Sequence, residues 1–230
     1  SNWSLKPLPG EPAHGFFLRL VANEGHYSAR VYADEIGLNG RKVEPGVALD
    51  TIISLPISDE SKAALKACTP LAEGKYYQIS GQRLRTHQMS FTSRRFCPGC
   101  LAESAHHRAW WDIVDFHICP IHNQPIESLT ETGEKIGWWW SDISTSPDGR
   151  MLPRSMPTVT SDGKSLEAYI LGRLGFLRRT KRPLLDGYHL YEVIEAHRYV
   201  ERWLGMPFGN KVVEKSHSQT SPLNDALLGT

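Results

Sequence analysis

Residues 96–122 read FCPGCLAESAHHRAWWDIVDFHICPIH and contain two short cysteine-proline turns. Cys97 and Cys100 form the first turn, and Cys119 and His122 form the second after eighteen intervening residues. A two-residue gap lets both side chains of a turn face one ion, and the proline after each first cysteine favours a tight turn. Three thiolates and one imidazole nitrogen make a tetrahedral zinc shell, so we expect these four residues to bind one Zn²⁺.

Two other interpretations of these residues stay open, namely chance turns with buried free thiols, or a disulfide. Disulfide frameworks are typical of small secreted proteins, whereas this chain has 230 residues and no secretory segment near its start. The fourth cysteine, Cys68, lies outside the pattern and is expected to be a buried small residue. Four protein ligands leave no position for water, so the expected zinc is structural rather than catalytic.

Charge is distributed unevenly, although the formal net charge of the whole chain is +1. Residues 164–182 have a local balance of +5, and residues 1–60 have a balance of −3. The basic stretch either complements the dipole at a helix end or contacts phosphates. No apolar run approaches the roughly 18 residues that span a bilayer, so we expect a cytoplasmic bacterial protein.

The N-terminal region, residues 1–92, is predicted to be helical. A first helix begins after Pro12 and ends before Gly25, and a second, over residues 29–36, follows the N-cap Ser28. The side chains expected to face the core are Phe17, Leu20, Val21, Val31, Tyr32 and Ile36. Two short helices joined by a short turn form a unit that resembles a helix-turn-helix.

The centre of the chain is predicted to be a zinc ribbon, residues 93–136, followed by a loop linker, residues 137–160. Alternating apolar side chains predict a strand over residues 110–118. The linker begins with an unusual run of three tryptophans, Trp138, Trp139 and Trp140. One or two of these rings are expected to pack on the ribbon, and an exposed one would bind a protein partner.

Residues 161–207 are predicted to form a helical hairpin, and residues 208–230 a disordered tail. The first helix of the hairpin carries an apolar face through Leu177 and is expected to stop at Pro183. The second ends at Gly205, and its expected inward side chains are Leu190, Val193, Ile194, Val200, Trp203 and Leu204. The predicted fold is therefore mainly α with a small β zinc ribbon.

Four segments, in this order, resemble the TniQ family of transposition target selectors. They are Pro7-Leu8-Pro9-Gly10-Glu11, followed by a helix that contains Leu18-Arg19-Leu20; Phe96-Cys97-Pro98-Gly99-Cys100-Leu101; Cys119-Pro120-Ile121-His122; and Tyr169-Ile170-Leu171-Gly172-Arg173-Leu174-Gly175 with Pro183-Leu184-Leu185-Asp186-Gly187 downstream. Many relatives carry further zinc knuckles after the second turn, and this chain has no cysteine beyond Cys119.

The resemblance implies an adaptor that recognises target DNA or a guide-RNA complex and recruits an AAA+ regulator of the transposase, with a homodimer as a further expected partner. It implies no enzymatic reaction, and Gly163-Lys164-Ser165 lacks the first glycine of an ATP-binding loop because Thr158 occupies that position. The candidate nucleic-acid contacts are Arg94, Arg95, Arg108, Arg178, Arg179, Lys181 and Arg182.

Two other functions stay open. The first is a protein–protein adaptor that touches no nucleic acid and docks through the tryptophans and the acidic N-terminal half. The second is a zinc hydrolase, which the chain's lack of an H-E-x-x-H motif disfavours.

Overall fold

The computed structural model describes residues 5–25, 28–36, 38, 43–129, 133–138 and 165–205. The linker residues 139–164 and the tail 206–230 lie outside this part, and with them the predicted disorder of residues 208–230. Among the described residues, no helix combines the length and apolar character that crossing a membrane requires.

The described chain is mostly helical, which confirms the predicted fold class at that level. Its α-helices are α1 Ala13–Asn23, α2 Ala29–Glu35, α3 Pro45–Ile53, α4 Asp59–Cys68, α5 Pro98–Glu103, α6 Leu166–Leu174, α7 Pro183–Asp186 and α8 Leu190–Trp203. Two 3-10 helices cover Thr86–Gln88 and Ala109–Asp112.

Two small antiparallel sheets complete the fold. The first has the strand order β1 Leu71–Glu73, β2 Tyr76–Ile79 and β3 Gln82–Arg85. The second pairs β4 Ile118–Cys119 with β5 Gln124–Pro125. The three-stranded sheet falls inside a region that was predicted to be helical, because its strands of three to four residues are too short to show a clear alternation.

The ends of the N-terminal helices follow the local sequence signals. Pro12 is the N-cap of α1, and Gly25, just beyond its C-terminus, has a φ of +81°. Ser58 caps α4, because its side chain accepts a hydrogen bond from the Ser61 amide at 3.2 Å.

The predicted inward face of α2 is wrong in two of its three side chains. Val31 is 58% exposed and Ile36 is 41% exposed. The residues that face the core are instead Ala29 and Ala33, which lie one turn apart. Their small side chains allow α2 to approach α1 closely. Tyr32 is half-buried and packs beside the Phe17 ring, 6.1 Å between centroids. The helix-turn-helix interpretation of this pair stays a prediction.

The predicted strand over residues 110–118 is also wrong. A 3-10 helix occupies Ala109–Asp112, and only Ile118 and Cys119 pair as a strand. Trp110, Trp111 and Asp112 are consecutive and all buried, whereas successive side chains of a strand point to opposite faces of its sheet. The 3-10 turn lets all three enter the core together.

The C-terminal helices differ from the prediction in where they end and what they bury. Helix α6 stops at Gly175, which has a φ of +84°, so neither Leu177 nor the basic cluster of residues 178–182 belongs to it. Pro183 instead begins α7. The last three predicted core residues of α8 are exposed, namely Val200 at 54%, Trp203 at 85% and Leu204 at 54%. The nine residues of α6 are too few to cover the fourteen of α8. Gly205 ends α8 as expected.

The buried side chains form two clusters that meet at Phe91. One cluster gathers helices α1 to α4 together with Trp138. The other gathers the three-stranded sheet, residues 96–126, α6 and the first half of α8. The zinc turns therefore lie inside the second cluster.

Candidate metal centre

The two cysteine-proline turns converge on one point. Sγ of Cys100 lies 3.7 Å from Sγ of Cys119 and 3.3 Å from Nδ1 of His122, and Nδ1 of His122 lies 3.6 Å from Sγ of both Cys97 and Cys119. Zinc bonds of about 2.3 Å to sulfur and 2.0 Å to nitrogen give tetrahedral edges of about 3.5 to 3.8 Å. The four atoms therefore fit a single tetrahedral ion, and the cluster can hold a metal such as zinc.

Local structure explains why both turns face inward. Cys97 is the N-cap of α5, Pro98 is its first residue, and Cys100 follows one turn later. In the second turn, the Asn123 amide donates to the Cys119 carbonyl at 2.7 Å, and Asn123 takes a φ of +50°. The β4–β5 hairpin then fixes Cys119 opposite Gln124.

Gly99 is required where the two turns touch. A Cβ atom added there would lie 2.5 Å from Cγ of His122, closer than side chains approach each other. The Gly99 amide also donates to Oε1 of Gln124 at 2.9 Å, which links the first turn to the β4–β5 hairpin.

The pKa values of the cysteine thiols differ from one another in the absence of a cation. Hydrogen bonds from Cys100 and then Cys97 lower the pKa of Cys119, and the hydrogen bond to Cys119 raises the pKa of Cys100. All four ligands are at most 1% exposed, so water offers little stabilisation to several thiolates at once. A divalent cation at their centre would let the three ionise together.

The imidazole of His122 has a carboxylate beside it. Its Nε2 lies 3.0 Å from Oε1 of Glu103, within ion-pair distance, but the geometry of this contact does not make a hydrogen bond. A small rotation of the Glu103 side chain would let it accept from Nε2 and favour the tautomer that leaves Nδ1 for the metal.

A second buried cluster, which the sequence did not suggest, joins α1 to the 3-10 helix. Each carboxylate oxygen of Asp112 meets one histidine, with Oδ2 3.0 Å from Nε2 of His14 and Oδ1 3.0 Å from Nε2 of His107. Burial lowers the pKa of His107 to about 4, so this ring is neutral at pH 7. Burial alone would raise the pKa of Asp112, but His107 and His14 lower it.

The same three residues are of types that bind metals, and their ligand atoms lie within 4.8 Å of one another. However, Nδ1 of His14 and Nδ1 of His107 have no hydrogen-bond partner among the described residues. A metal at Nε2 would leave two buried N–H donors unpaired. The one-to-one pairing with Asp112 fits a hydrogen-bond clamp better than a metal site.

The arginines around the centre are turned inward. Arg94 is 2% exposed and Arg108 is 6% exposed. Arg108 donates to the carbonyls of His106 and Cys100 at 3.2 and 3.1 Å, and Arg95 donates to those of Ile113 and Phe116 at 2.5 and 2.6 Å. Arg95 and Arg108 therefore stabilise the loop between the two turns, and the role of these three arginines as phosphate contacts stays a prediction.

Other predicted site residues lie elsewhere. Arg178, Arg179 and Lys181 are exposed and Arg182 is half-buried, in the loop between α6 and α7. Trp138 is 5% exposed, and its ring lies 4.9 Å from that of His14 and 4.5 Å from that of His107. It therefore packs on the clamp and belongs to the cluster of the N-terminal helices, while Trp139 and Trp140 lie outside the described residues.

The N-terminal segment is built onto the metal centre. The Ala109 amide donates to the Gly10 carbonyl at 2.9 Å, and a Cβ on Gly10 would lie 2.4 Å from the Trp110 ring. Glu11 is 1% exposed and pairs with Arg19 at 2.6 Å, which holds this segment against α1. The first three segments of the resemblance thus form one packed unit.

Comparison with known proteins agrees with this unit. No curated protein matches the chain. The family model TniQ matches residues 3–126, which are 124 of the 230 residues and contain both zinc turns and the clamp. The chain belongs to the TniQ family, whose members are non-catalytic adaptors associated with transposition.

Proposed function

We propose that this chain selects targets for DNA transposition by linking a target DNA or a guide-RNA complex to an AAA+ transposition regulator. The family match over residues 3–126 carries this proposal. The described residues add two features that suit such an adaptor, namely a closed metal centre and an exposed basic loop.

The metal in this proposal is one structural Zn²⁺. Cys97, Cys100, Cys119 and His122 are all buried, so four protein ligands would surround the ion and leave no place for a reacting water. When bound, zinc would supply folding energy by joining α5 to the β4–β5 hairpin. This arrangement supports an adaptor over the zinc-hydrolase alternative.

The proposed phosphate contacts are in the loop that joins α6 to α7, residues 175–182. Arg178 and Lys181 are exposed there, and no ion pair joins either to another described residue. Arg179 is partly neutralised, because its guanidinium lies 3.1 Å from Oδ1 of Asp186. We therefore assign the direct contacts chiefly to Arg178 and Lys181, with Arg179 and Arg182 beside them.

The loop is held in place before any partner arrives. Oδ2 of Asp186 accepts from the Arg182 amide at 3.0 Å, and the Phe176 amide donates to the Leu171 carbonyl at 2.9 Å. A Cβ on Gly172 would lie 3.3 Å from Cα of Arg179, so the glycine lets the loop backbone lie against α6. Preorganised cations lose less conformational entropy on binding than free ones.

Phosphate contacts position a protein without reading base sequence. The proposal therefore predicts binding that depends on salt and tolerates changes of DNA sequence. Losing two phosphate contacts should reduce the slope of log K against log salt by about 1.8 on duplex DNA.

The test is fluorescence anisotropy with a labelled 30-bp duplex at several salt concentrations. We expect the double variant Arg178→Ala/Lys181→Ala to bind at least tenfold more weakly at low salt and with the smaller slope. The control, Arg30→Ala/Lys66→Ala, removes the same charge from exposed positions on α2 and α4 and should bind like the unmodified chain. Equal losses in both variants, or a loss in neither, would remove the loop from the site.

The second candidate is an adaptor that contacts only proteins. The observation that favours it is the exposed apolar surface at the end of α8, formed by Tyr199, Val200, Trp203 and Leu204. A pull-down of the AAA+ regulator from nuclease-treated extract separates the two candidates. Capture that survives nuclease and is lost in Trp203→Asp, together with no DNA binding, would support the second.

A further inference from the structure

A groove of about 640 Å³ runs along the junction of the two buried clusters. Val47 of α3 and Val43 just before this helix form one wall, and Leu71 and Ala72 of β1 form the other. The Tyr77 and Phe91 rings, 5.3 Å apart, lie between the walls. Clefts of this size between packed units are common binding places.

The groove follows the free edge of β1. Consecutive strand residues point to opposite faces, yet Leu71 and Ala72 both line the groove, so it touches the strand along its edge. The hairpin closes at Glu73 and Tyr76 around a two-residue turn, which makes that pair hydrogen-bonded.

Hydrogen-bonded and non-hydrogen-bonded residue pairs alternate along two antiparallel strands. The next pair, Ala72 and Tyr77, is therefore not hydrogen-bonded. The N–H and C=O of Ala72 consequently point away from β2, toward the groove. No hydrogen bond joins them to another described residue. An extended peptide could bond to both groups, as in binding modes that add a strand to a sheet.

The charged residues of the groove restrict which peptide could bind in it. Among the described residues, the groove lining contains two acidic residues, Glu44 and Asp50, and no lysine, arginine or histidine. Its remaining side chains are mostly apolar, and Val47 is 44% exposed. An occupant with apolar side chains and at least one cation would match the groove, whereas an acidic one would be repelled.

We propose that this groove is a docking site for an extended segment of a protein partner, with apolar side chains at alternate positions and a lysine or arginine beside them. The segment adds to β1 through the main chain of Ala72 and places its apolar side chains against Val47 and Tyr77. The cation lies near Asp50. This site is separate from the basic loop and does not depend on phosphate contacts there.

The test uses a phage-displayed library of random dodecapeptides, panned on the immobilised full chain. Enriched peptides are synthesised with a fluorescein label, and their affinities are measured by anisotropy. We expect sequences that alternate apolar residues and carry lysine or arginine. Asp50→Lys should weaken their binding at least tenfold, whereas Glu35→Lys, an equal charge change on an exposed position of α2, should not.

A second pair of variants tests the main-chain contact. Ala72→Pro removes only an outward N–H, which an edge strand tolerates, and should lose binding while circular dichroism stays unchanged. Ala72→Ser keeps that N–H and should retain binding. The proposal is overturned if no peptide is enriched, if the enriched peptides are acidic, or if binding survives both Asp50→Lys and Ala72→Pro. DNA binding by the same variants should not change, which keeps this outcome distinct from failure of the proposed function.

Discussion

Nε2 of His122 lies 3.0 Å from Oε1 of Glu103, so a carboxylate on α5 stands beside the one nitrogen ligand of the candidate metal centre. Glu103 is 54% exposed at its side chain, and its substitution therefore should not disturb the core. The contact joins α5, which carries the first turn, to the second turn through Glu103, a residue that is not a metal ligand.

Replacing Glu103 should weaken the metal without unfolding the protein. We expect Glu103→Ala to lower zinc affinity about 10- to 100-fold, because the imidazole loses the carboxylate that would accept from Nε2 once Nδ1 binds the metal. Competition with a chromophoric chelator measures the affinity, and Glu35→Ala is the control for loss of an exposed carboxylate. Unchanged affinity in Glu103→Ala would show that the carboxylate has no role in binding.

A methyl group at position 99 should damage the centre. In Gly99→Ala the new Cβ would lie 2.5 Å from the His122 ring, so either the ring or α5 must move. Forced overpacking costs about 1–3 kcal/mol in unfolding free energy, and zinc affinity should fall with it. Chemical denaturation with zinc present measures the first quantity.

The matched control is Gly137→Ala, since a Cβ at that position meets nothing within 4 Å. It should leave both stability and zinc affinity unchanged. If Gly99→Ala behaves like this control, the two turns do not approach each other as closely as described here.

The zinc ligands were predictable because each turn is a local pattern, with its spacing and its proline inside four residues. The clamp was not, because His14 and Asp112 are 98 residues apart and no spacing connects them. The 3-10 helix at Ala109–Asp112 was mistaken for a strand for the same reason, since the burial of Asp112 depends on that distant partner.

The spacing of apolar residues predicted which face of a helix is buried. It did not predict how far along the helix the neighbouring elements cover that face. Leu190 and Ile194 are fully buried as expected, while Val200, on a continuation of the same predicted face, is 54% exposed. The length of the covering helix α6 decides this, and it depends on Gly175, whose stop signal lies before Pro183. The sequence did contain one indication of the three-stranded sheet, namely the glycines at its two turns, Gly74 and Gly81, which both have a positive φ.

Breaking the clamp should destabilise the junction of α1 with the zinc unit. Asp112→Asn keeps the shape but places an amide donor against one of the two imidazoles, His14 or His107. Loss of a buried hydrogen bond to a charged group costs about 1.5–3 kcal/mol. Urea unfolding with zinc present should show this loss, and Asp50→Asn on the surface should not. A loss below 1 kcal/mol in Asp112→Asn would contradict the clamp.

Acid should destabilise the fold between pH 7 and pH 5.5. Burial lowers the pKa of His106 and of His107 to about 4, from an ordinary value of 6.5. The unfolded chain therefore binds protons first as the pH falls below 6.5, and stability falls until about pH 4. Each histidine should contribute about 1 kcal/mol of loss between pH 7 and pH 5.5.

The check is the free energy of unfolding in excess zinc at these two pH values. His106→Gln should reduce the loss, and His87→Gln, at a position 53% exposed, should not. A loss that is the same in all three proteins would assign the acid sensitivity to other groups.

The most direct measurement is the zinc content of the purified chain by mass spectrometry, compared with Cys119→Ser and Asp112→Ala. We predict one zinc per chain in the unmodified protein and none in Cys119→Ser. The fraction of Asp112→Ala that is folded should also contain one zinc per chain. A chain without metal, or Cys119→Ser that keeps its zinc, would contradict the convergence of Cys97, Cys100, Cys119 and His122 on a single ion. A second zinc that Asp112→Ala loses would show that the clamp is a metal site.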